Sequence, residues 1–263
     1  MPPEQAVSAW RPAVPGITEV FHARFVGHAY PMHTHDTWTL LIVDDGAIRY
    51  DLDRSERGAV GTTVTLLPPH VPHDGRSATD GGFRKRVLYL DQSVLGDDLI
   101  GVAVGRPAFR DPLLRARLDR LHGTLAGPGE ALESESRLAF VRERLLAHLG
   151  APAAEPTPPP ARLAAGLRDL LDARVTAGLT LQQAAQELHA HPTHLVRAFT
   201  RSFGLPPHAY LLGRRIALAR DLLLAGQRPA EVAVAAGFHD QAHLTRHFTR
   251  HVGVSPGRYA GRS

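Results

Sequence analysis

Ala236-Gly-Phe-His-Asp-Gln-Ala-His-Leu-Thr-Arg-His-Phe248 follows a short apolar-periodic run, Pro229-Ala-Glu-Val-Ala-Val-Ala-Ala236, and leads into Gly253-Val-Ser-Pro256. Gly237-Phe238 breaks the first run, and Asp240 is a good N-cap for a second helix reaching Val252. The stretch reads as helix, tight turn, helix. The same plan stands 49 positions earlier. There Leu181-Gln-Gln-Ala-Ala-Gln-Glu-Leu188 is the short helix, His189-Ala-His191 the break, and Pro192 to Phe203 the second helix, with Pro in its first turn. Leu195, Arg197 and Phe199 fall opposite Leu244, Arg246 and Phe248, and Gly204-Leu-Pro-Pro207 answers Gly253-Val-Ser-Pro256.

Between the two copies, Tyr210 to Ala225 carries Leu211, Leu212, Ile216, Ala219, Leu222 and Leu223 on one stripe of helical period. A single long helix here holds two helix-turn-helix units at a fixed separation. One turn of B-DNA is about 34 Å, so units so held suit successive major grooves on one face of a duplex. Charge agrees with this. Residues 161–263 hold 13 Arg against 6 Asp and Glu, whereas residues 1–160 hold 17 Lys and Arg against 20 Asp and Glu. The positive excess is confined to the half that carries the repeat, as binding to a polyanion requires. Arginine outnumbers lysine 29 to 1, so only the position of the charge carries weight.

Residues 163–260 resemble the DNA-binding domain of the AraC/XylS family of bacterial transcription regulators, most closely through Ala236 to Phe248 and Gly253-Val-Ser-Pro-Gly-Arg-Tyr259. Two departures stand out: His191 occupies the usual place of a serine cap, at an expected cost of about 1 kcal/mol, and Leu244 replaces a common phenylalanine. The resemblance implies base contacts from Thr193, His194 and Arg197 in the first reading helix and from Gln241, His243 and Arg246 in the second. Arginine pairs with guanine O6 and N7, glutamine with adenine, and a threonine methyl with thymine. Arg201 and Arg250, one turn on, are expected at phosphates.

The first 150 residues differ in kind. His33 to Val43 alternates as a strand, Asp44-Asp-Gly46 reads as a hairpin turn, and Ala47 to Leu52 as the return strand. Thr62 to Leu67 and Phe83 to Leu90 continue the series, with Pro68-Pro-His-Val-Pro72 as a corner. Short strands at this spacing predict an antiparallel jelly roll or barrel. Gly27, His33, His35 and Gly46 resemble the first cupin motif, with Thr39 where a glutamate belongs. Pro68-Pro-His-Val-Pro-His73 resembles the second, with His70 in place of glycine. This is the sensor type commonly fused to AraC-type readers, and it implies an effector pocket at His33, His35, Thr39, Leu41 and His73. The alternation places His33, His35 and Thr39 on one face. Three imidazoles with an open position suit Zn, Ni, Cu or Fe(II), so a metal at His33, His35 and His73 stands beside an organic effector as an expectation. Trp38 is expected to pack beneath helices.

Asp111-Pro-Leu-Leu114 opens a helix with Leu114, Leu118, Leu121 and Leu125, and after Gly127-Pro-Gly129 a second helix carries Leu138, Val141, Leu145 and Leu149. Such helices resemble the family's dimerisation element, which implies a homodimer with at least one stripe facing a partner. Ala151 to Pro160 is a stiff Pro-rich linker. The expected organisation is α+β in two domains. Residues 1–150 form a cupin-like jelly roll ending in two helices, 151–160 the linker, and 161–263 an all-α domain with two helix-turn-helix motifs.

No run of about 20 apolar residues is present and the segment around Glu4 lacks a signal-peptide pattern, so a cytoplasmic protein without membrane contact is expected. Zero cysteines exclude disulfides and thiol sensing. A cupin enzyme leaves the paired readers unexplained, and an effector-independent dimeric DNA-binding protein leaves the histidines unexplained. The reading that uses both halves is a regulator, more commonly an activator, that binds double-stranded DNA, meets RNA polymerase, and shifts population when a small molecule occupies its pocket.

Overall fold

The computed structural model describes residues 6–127, 131–150 and 159–260. Most of the expected linker (151–158), together with Glu4 and Pro128-Gly129, lies outside the described residues. The chain divides into two compact units, residues 1–129 with 137–154, and residues 130–136 with 155–263.

In the first unit, β1 (Ala6–Trp10), β2 (Ile17–Phe25), β3 (Ala29–His33), β4 (Trp38–Leu52), β5 (Ser55–Val60), β6 (Val64–Leu67), β7 (His73–Ser77), β8 (Phe83–Leu90) and β9 (Ala108–Phe109) pair antiparallel throughout. One sheet runs β1-β2-β8-β4-β6-β9, while β5 and β7 pair with the far half of β4 and β3 pairs with β7. β4 therefore serves two sheets. Asp44-Asp-Gly46 is not the hairpin turn its composition suggests. β4 runs straight through it with a bulge between Val43 and Asp45. Gly46 takes φ +72°, where a Cβ would lie 2.1 Å from the Gly82 carbonyl oxygen. Asp44 is tied down by Arg86 (2.6 and 2.8 Å) and Arg115 (2.7 Å). A bend anchored by three ion-paired hydrogen bonds turns the strand from one sheet to the other. The hairpin falls instead at Asp53-Arg54, where two positive φ angles (45° and 64°) give the primed turn that matches strand twist. A second correction concerns His33 to Val43, which is not one strand: β3 ends at His33 and β4 starts at Trp38.

Helix α1 (Ile100–Gly105) follows the sheet, then α2 (Pro112–Leu125) and α3 (Ala131–His148). Asp111 caps α2 by accepting from the Leu113 and Leu114 amides, both at 3.0 Å. Leu114, Leu118, Leu121 and Leu125 join Leu138, Val141, Leu145 and Leu149 in one core with Trp38, Leu40, Leu66 and Leu88. This corrects the expectation that a stripe faces a partner copy: both are covered by the sheet of their own chain.

In the helical unit, α4 (Pro160–Ala173) precedes α5 (Leu181–Glu187), α6 (Pro192–Phe203), α7 (Pro207–Leu224), α8 (Pro229–Ala235), α9 (Gln241–Val252) and α10 (Pro256–Tyr259). Leu163, Leu167 and Leu171 bury the inner face of α4. Helix α7, the expected bridge, buries Leu211, Ile216, Ala219 and Leu223. Two clusters share this framework, one under α9 with Val232, Phe238, Leu244 and Phe248, the other under α6 with Leu195 and Phe199 fully buried.

A buried pair of imidazoles in the first unit makes its stability pH-dependent. His22 Nε2 and His122 Nδ1 lie 3.1 Å apart, and His122 is 2 % exposed. Burial first, then the charges of Arg86 and His22, push His122 from 6.5 down to about 3. The folded state resists a proton that the unfolded chain accepts, so stability is complete above pH 6.5 and falls as pH drops towards 3. Between pH 7 and pH 5 this group removes about 2 kcal/mol. Urea denaturation at the two pH values should show that loss, and His122→Leu should flatten it; an unchanged pH slope in the variant would refute the assignment.

Candidate functional site

The reading helices are built for exposure on one side. In α6, Leu195 and Phe199 face the core, and in α9 Leu244 and Phe248 do the same one repeat later. Both N-termini are capped by side chains. Asp240 Oδ1 accepts from the His243 amide at 2.6 Å. His191, despite replacing the usual serine, caps α6 with its imidazole, Nδ1 accepting from the Thr193 amide at 3.2 Å. A neutral imidazole nitrogen is an acceptor, so the position keeps its function.

Gln241, Arg246 and Arg250 are exposed along α9, and Arg201 is exposed on α6, where His194 and Arg197 are half-buried. These six side chains form the candidate nucleic-acid interface. Two expected members are buried in this structure. His243 is 7 % exposed, packs edge-on against Phe238 (centroids 5.5 Å apart) and accepts from the His239 amide at 3.3 Å. Its ring closes the turn between α8 and α9 instead of reaching outward. Burial also lowers its basicity, with Arg246 adding to the effect. Thr193 is 5 % exposed on the same packed side of α6 as Val196, at 1 %. In this structure its hydroxyl does not open to a groove.

The five expected pocket residues, His33, His35, Thr39, Leu41 and His73, line one cavity of about 70 Å³ in the first unit. β3 sets His33 directly opposite His73 of β7. His35 follows in the bend, pinned where its carbonyl oxygen accepts from the His70 amide at 2.8 Å. The three rings lie 4.6 to 5.0 Å apart between centroids. Burial, then the neighbouring His73 and His33, push His35 down to about 4. Burial likewise lowers His73, against the raising effect of the hydrogen bond its ring donates to the Val71 carbonyl.

The cavity wall also holds Tyr30, Asp74, Lys85 and Tyr89, which sequence reasoning did not assign. Lys85, the chain's single lysine, is partly buried with Nζ 4.2 Å from the Tyr30 ring centroid. Burial pulls its pKa down to about 8, and among the described residues no carboxylate pairs with it. A signal was present: Lys85, Val87 and Tyr89 alternate on β8 and so share a face. Thr39 is 5 % exposed and its Oγ1 has no hydrogen-bond partner among the described residues. A buried hydroxyl left without a partner is costly. Trp38, as expected, faces away from the cavity into the helix-covered core and donates to the Leu95 carbonyl at 2.7 Å. No described helix is long and apolar enough to cross a membrane.

Comparison with known proteins bears on both halves. Residues 15–139 match the family described as AraC-like ligand binding domain, and residues 184–262 match Helix-turn-helix domain. The uncharacterized HTH-type transcriptional regulator YbfI of Bacillus subtilis is 31 % identical over 236 residues, 86 % of this chain and 85 % of that protein. The virulence regulon transcriptional activator VirF of Yersinia enterocolitica is 30 % identical over 91 residues, 34 % of each chain. Among solved structures, the AraC-like transcriptional activator CuxR aligns over 88 % of this chain and 82 % of its own, at 18 % identity and a TM-score of 0.46. These family matches cover the cavity-bearing sheet and the second helix-turn-helix with most of the first, and the members of such families are regulators and not enzymes. The chain thus belongs to the AraC family of DNA-binding transcriptional regulators, with a ligand-binding domain ahead of its paired helix-turn-helix motifs.

Proposed function

We propose that α6 and α9 read an operator through Arg197, Gln241 and Arg246 at base edges, with His194 beside them and Arg201 and Arg250 on phosphates, and that a small acidic molecule in the β-unit cavity sets this binding in favour of activation. The observation that carries the effector class is Lys85, a cation held by ring faces on the wall of the cavity that the unpartnered Thr39 hydroxyl also lines. An anion entering there gains a charge-assisted hydrogen bond in a site already stripped of much of its water. The cavity of about 70 Å³ suits a short carboxylate, and a larger one requires the half-buried rings of His33 and His35 to swing aside. With both leucine stripes of α2 and α3 buried in their own unit, any homodimer uses other surfaces.

Arg246→Ala is expected to weaken operator binding by about 1–3 kcal/mol and relax preference at one base pair, while Arg250→Ala lowers affinity on all sequences and reduces the salt dependence. Footprinting of a selected operator at two salt concentrations separates the two. For the effector, full-length protein is screened by thermal shift against short carboxylates and their amides. Carboxylates that stabilise wild type and not Lys85→Met, and that also alter operator affinity, support the reading. Equal stabilisation by the amides, or operator binding indifferent to every stabilising acid, would overturn it.

A further inference from the structure

Two sheet edges of the β unit flank a groove that the effector reading does not use. Among the described residues β5 pairs only with β4 and β9 only with β6, so each ends its sheet. Between them lies a cavity of about 340 Å³, lined by Arg57 of β5, Arg106, Phe109 of β9, His148 at the end of α3 and Tyr50 of β4. Its size is that of a small-molecule site, roughly 300–1,000 Å³.

Residues 1–160 hold more acidic than basic side chains, 20 against 17, yet no carboxylate lines this groove. Arg57 and Arg106 are exposed, and neither has an ion-pair partner among the described residues. His148 is held from two sides. Its ring stacks on Phe109 with centroids 4.5 Å apart, and its Nε2 lies 2.6 Å from Asp111 Oδ2. Asp111 cannot neutralise the arginines as well, because Arg144 shares Oδ2 and the Leu113 and Leu114 amides occupy Oδ1.

Tyr50 supplies a second, independent mark of a ligand. The residue is 2 % exposed, and its hydroxyl makes no hydrogen bond of good geometry among the described residues. Thr65 is the side chain beside it, its own hydroxyl equally unpartnered, and Arg57 is the charge that acts on it. Burial raises the phenol to about 12, with Thr65 and Arg57 opposing. The hydroxyl therefore keeps its proton and is a donor without an acceptor. Tyr50 also lines the histidine cavity, so the two cavities share one ring as a wall.

We propose that this groove is a second ligand site of the β unit, for the phosphate ester of a small molecule, with the phosphoryl group on Arg57 and Arg106 and the organic part against the Phe109–His148 stack. Two guanidinium forks from separate segments offer more N–H groups than one carboxylate accepts in good geometry, whereas a phosphoryl group presents three strong acceptor oxygens. The volume exceeds what free phosphate fills, which leaves room for the ester's body.

Full-length protein without DNA is titrated by calorimetry with phenyl phosphate and glycerol phosphate, and with phenol, glycerol and succinate. Both esters are expected to bind once per chain, and the other three compounds are not. Arg57→Gln and Arg106→Gln, whose side chains are exposed, should keep the melting temperature of the unliganded protein and each weaken ester binding by at least about 10-fold. Arg250→Gln, on α9, and Lys85→Met should leave ester binding unchanged. The proposal is overturned if neither ester binds, if succinate binds as tightly as the esters, or if both groove variants bind like wild type. Loss in Arg250→Gln alone would put the phosphate on the reading helix. Loss in Lys85→Met alone would put it in the histidine cavity, overturning the groove and leaving the effector reading in place. Binding that depends on Arg57 and Arg106 while no carboxylate stabilises the protein establishes the groove and removes the effector reading.

Discussion

Gly237→Val is expected to abolish DNA binding by the second reader while the β unit remains folded. Gly237 holds the turn between α8 and α9 at φ +82°, in the left-handed region that a β-branched residue strongly disfavours. A Cβ there would also lie 2.6 Å from the Thr176 carbonyl oxygen and 2.9 Å from Thr176 Cα. These are backbone atoms, and the segment carrying them has little room to retreat: Arg215, 4 % exposed, donates Nε to the Val175 carbonyl at 2.7 Å. Strain of about 1–2 kcal/mol and overpacking of about 1–3 kcal/mol act on the same turn, enough to displace α9 or unfold its unit. Fluorescence anisotropy with a duplex operator, alongside circular dichroism, checks both parts. A valine variant that binds DNA like wild type would show that the turn is not needed to aim α9.

Trp38→Ala should be the most damaging single truncation in the β unit, at about 3–5 kcal/mol. Trp38 is fully buried, at 0 % exposure, beneath Leu114, Leu118 and Leu121 of α2 and Leu138, Val141 and Leu145 of α3. Its removal leaves a large cavity and a buried Leu95 carbonyl that has lost the indole N–H. A fall of about 10 °C in the melting temperature of this unit follows, with Trp38→Phe intermediate because it refills most of the volume. A loss below about 1 kcal/mol in urea denaturation would mean that α2 and α3 do not rely on this contact.

The legible parts of the chain were those governed by local rules. Helix α9 and its Asp240 cap, the bridging α7, and the Asp111 cap of α2 all follow from spacing and from backbone groups satisfied within a few residues. The grouping of His33, His35, Thr39, Leu41 and His73 around one cavity was also legible, through the motif resemblance. Helix α4 was missed because the Pro-rich run preceding it drew the boundary, although Leu163, Leu167 and Leu171 repeat every four residues.

The misreadings had non-local causes. Asp44-Asp-Gly46 has the composition of a turn, yet Arg86 and Arg115, 42 and 71 positions further on, hold it as a bend within a strand. The family resemblance implies a groove-facing His243, whereas its contacts here, with the Phe238 ring and the His239 amide, are made within the turn. The leucine stripes of α2 and α3 match a dimer seam as well as they match a sheet, and periodicity does not distinguish the two.

By itself, then, the sequence determined the helices of the repeat, the basic half and the family, since each depends on residues within about a turn or a strand of one another. Tertiary structure alone decided which outward-looking side chains remain exposed, that Lys85 joins the histidines, and that the leucine stripes are covered within their own unit. Burial and the fate of each polar group depend on what lies across the fold, and partners far apart in the chain leave no local periodicity to read.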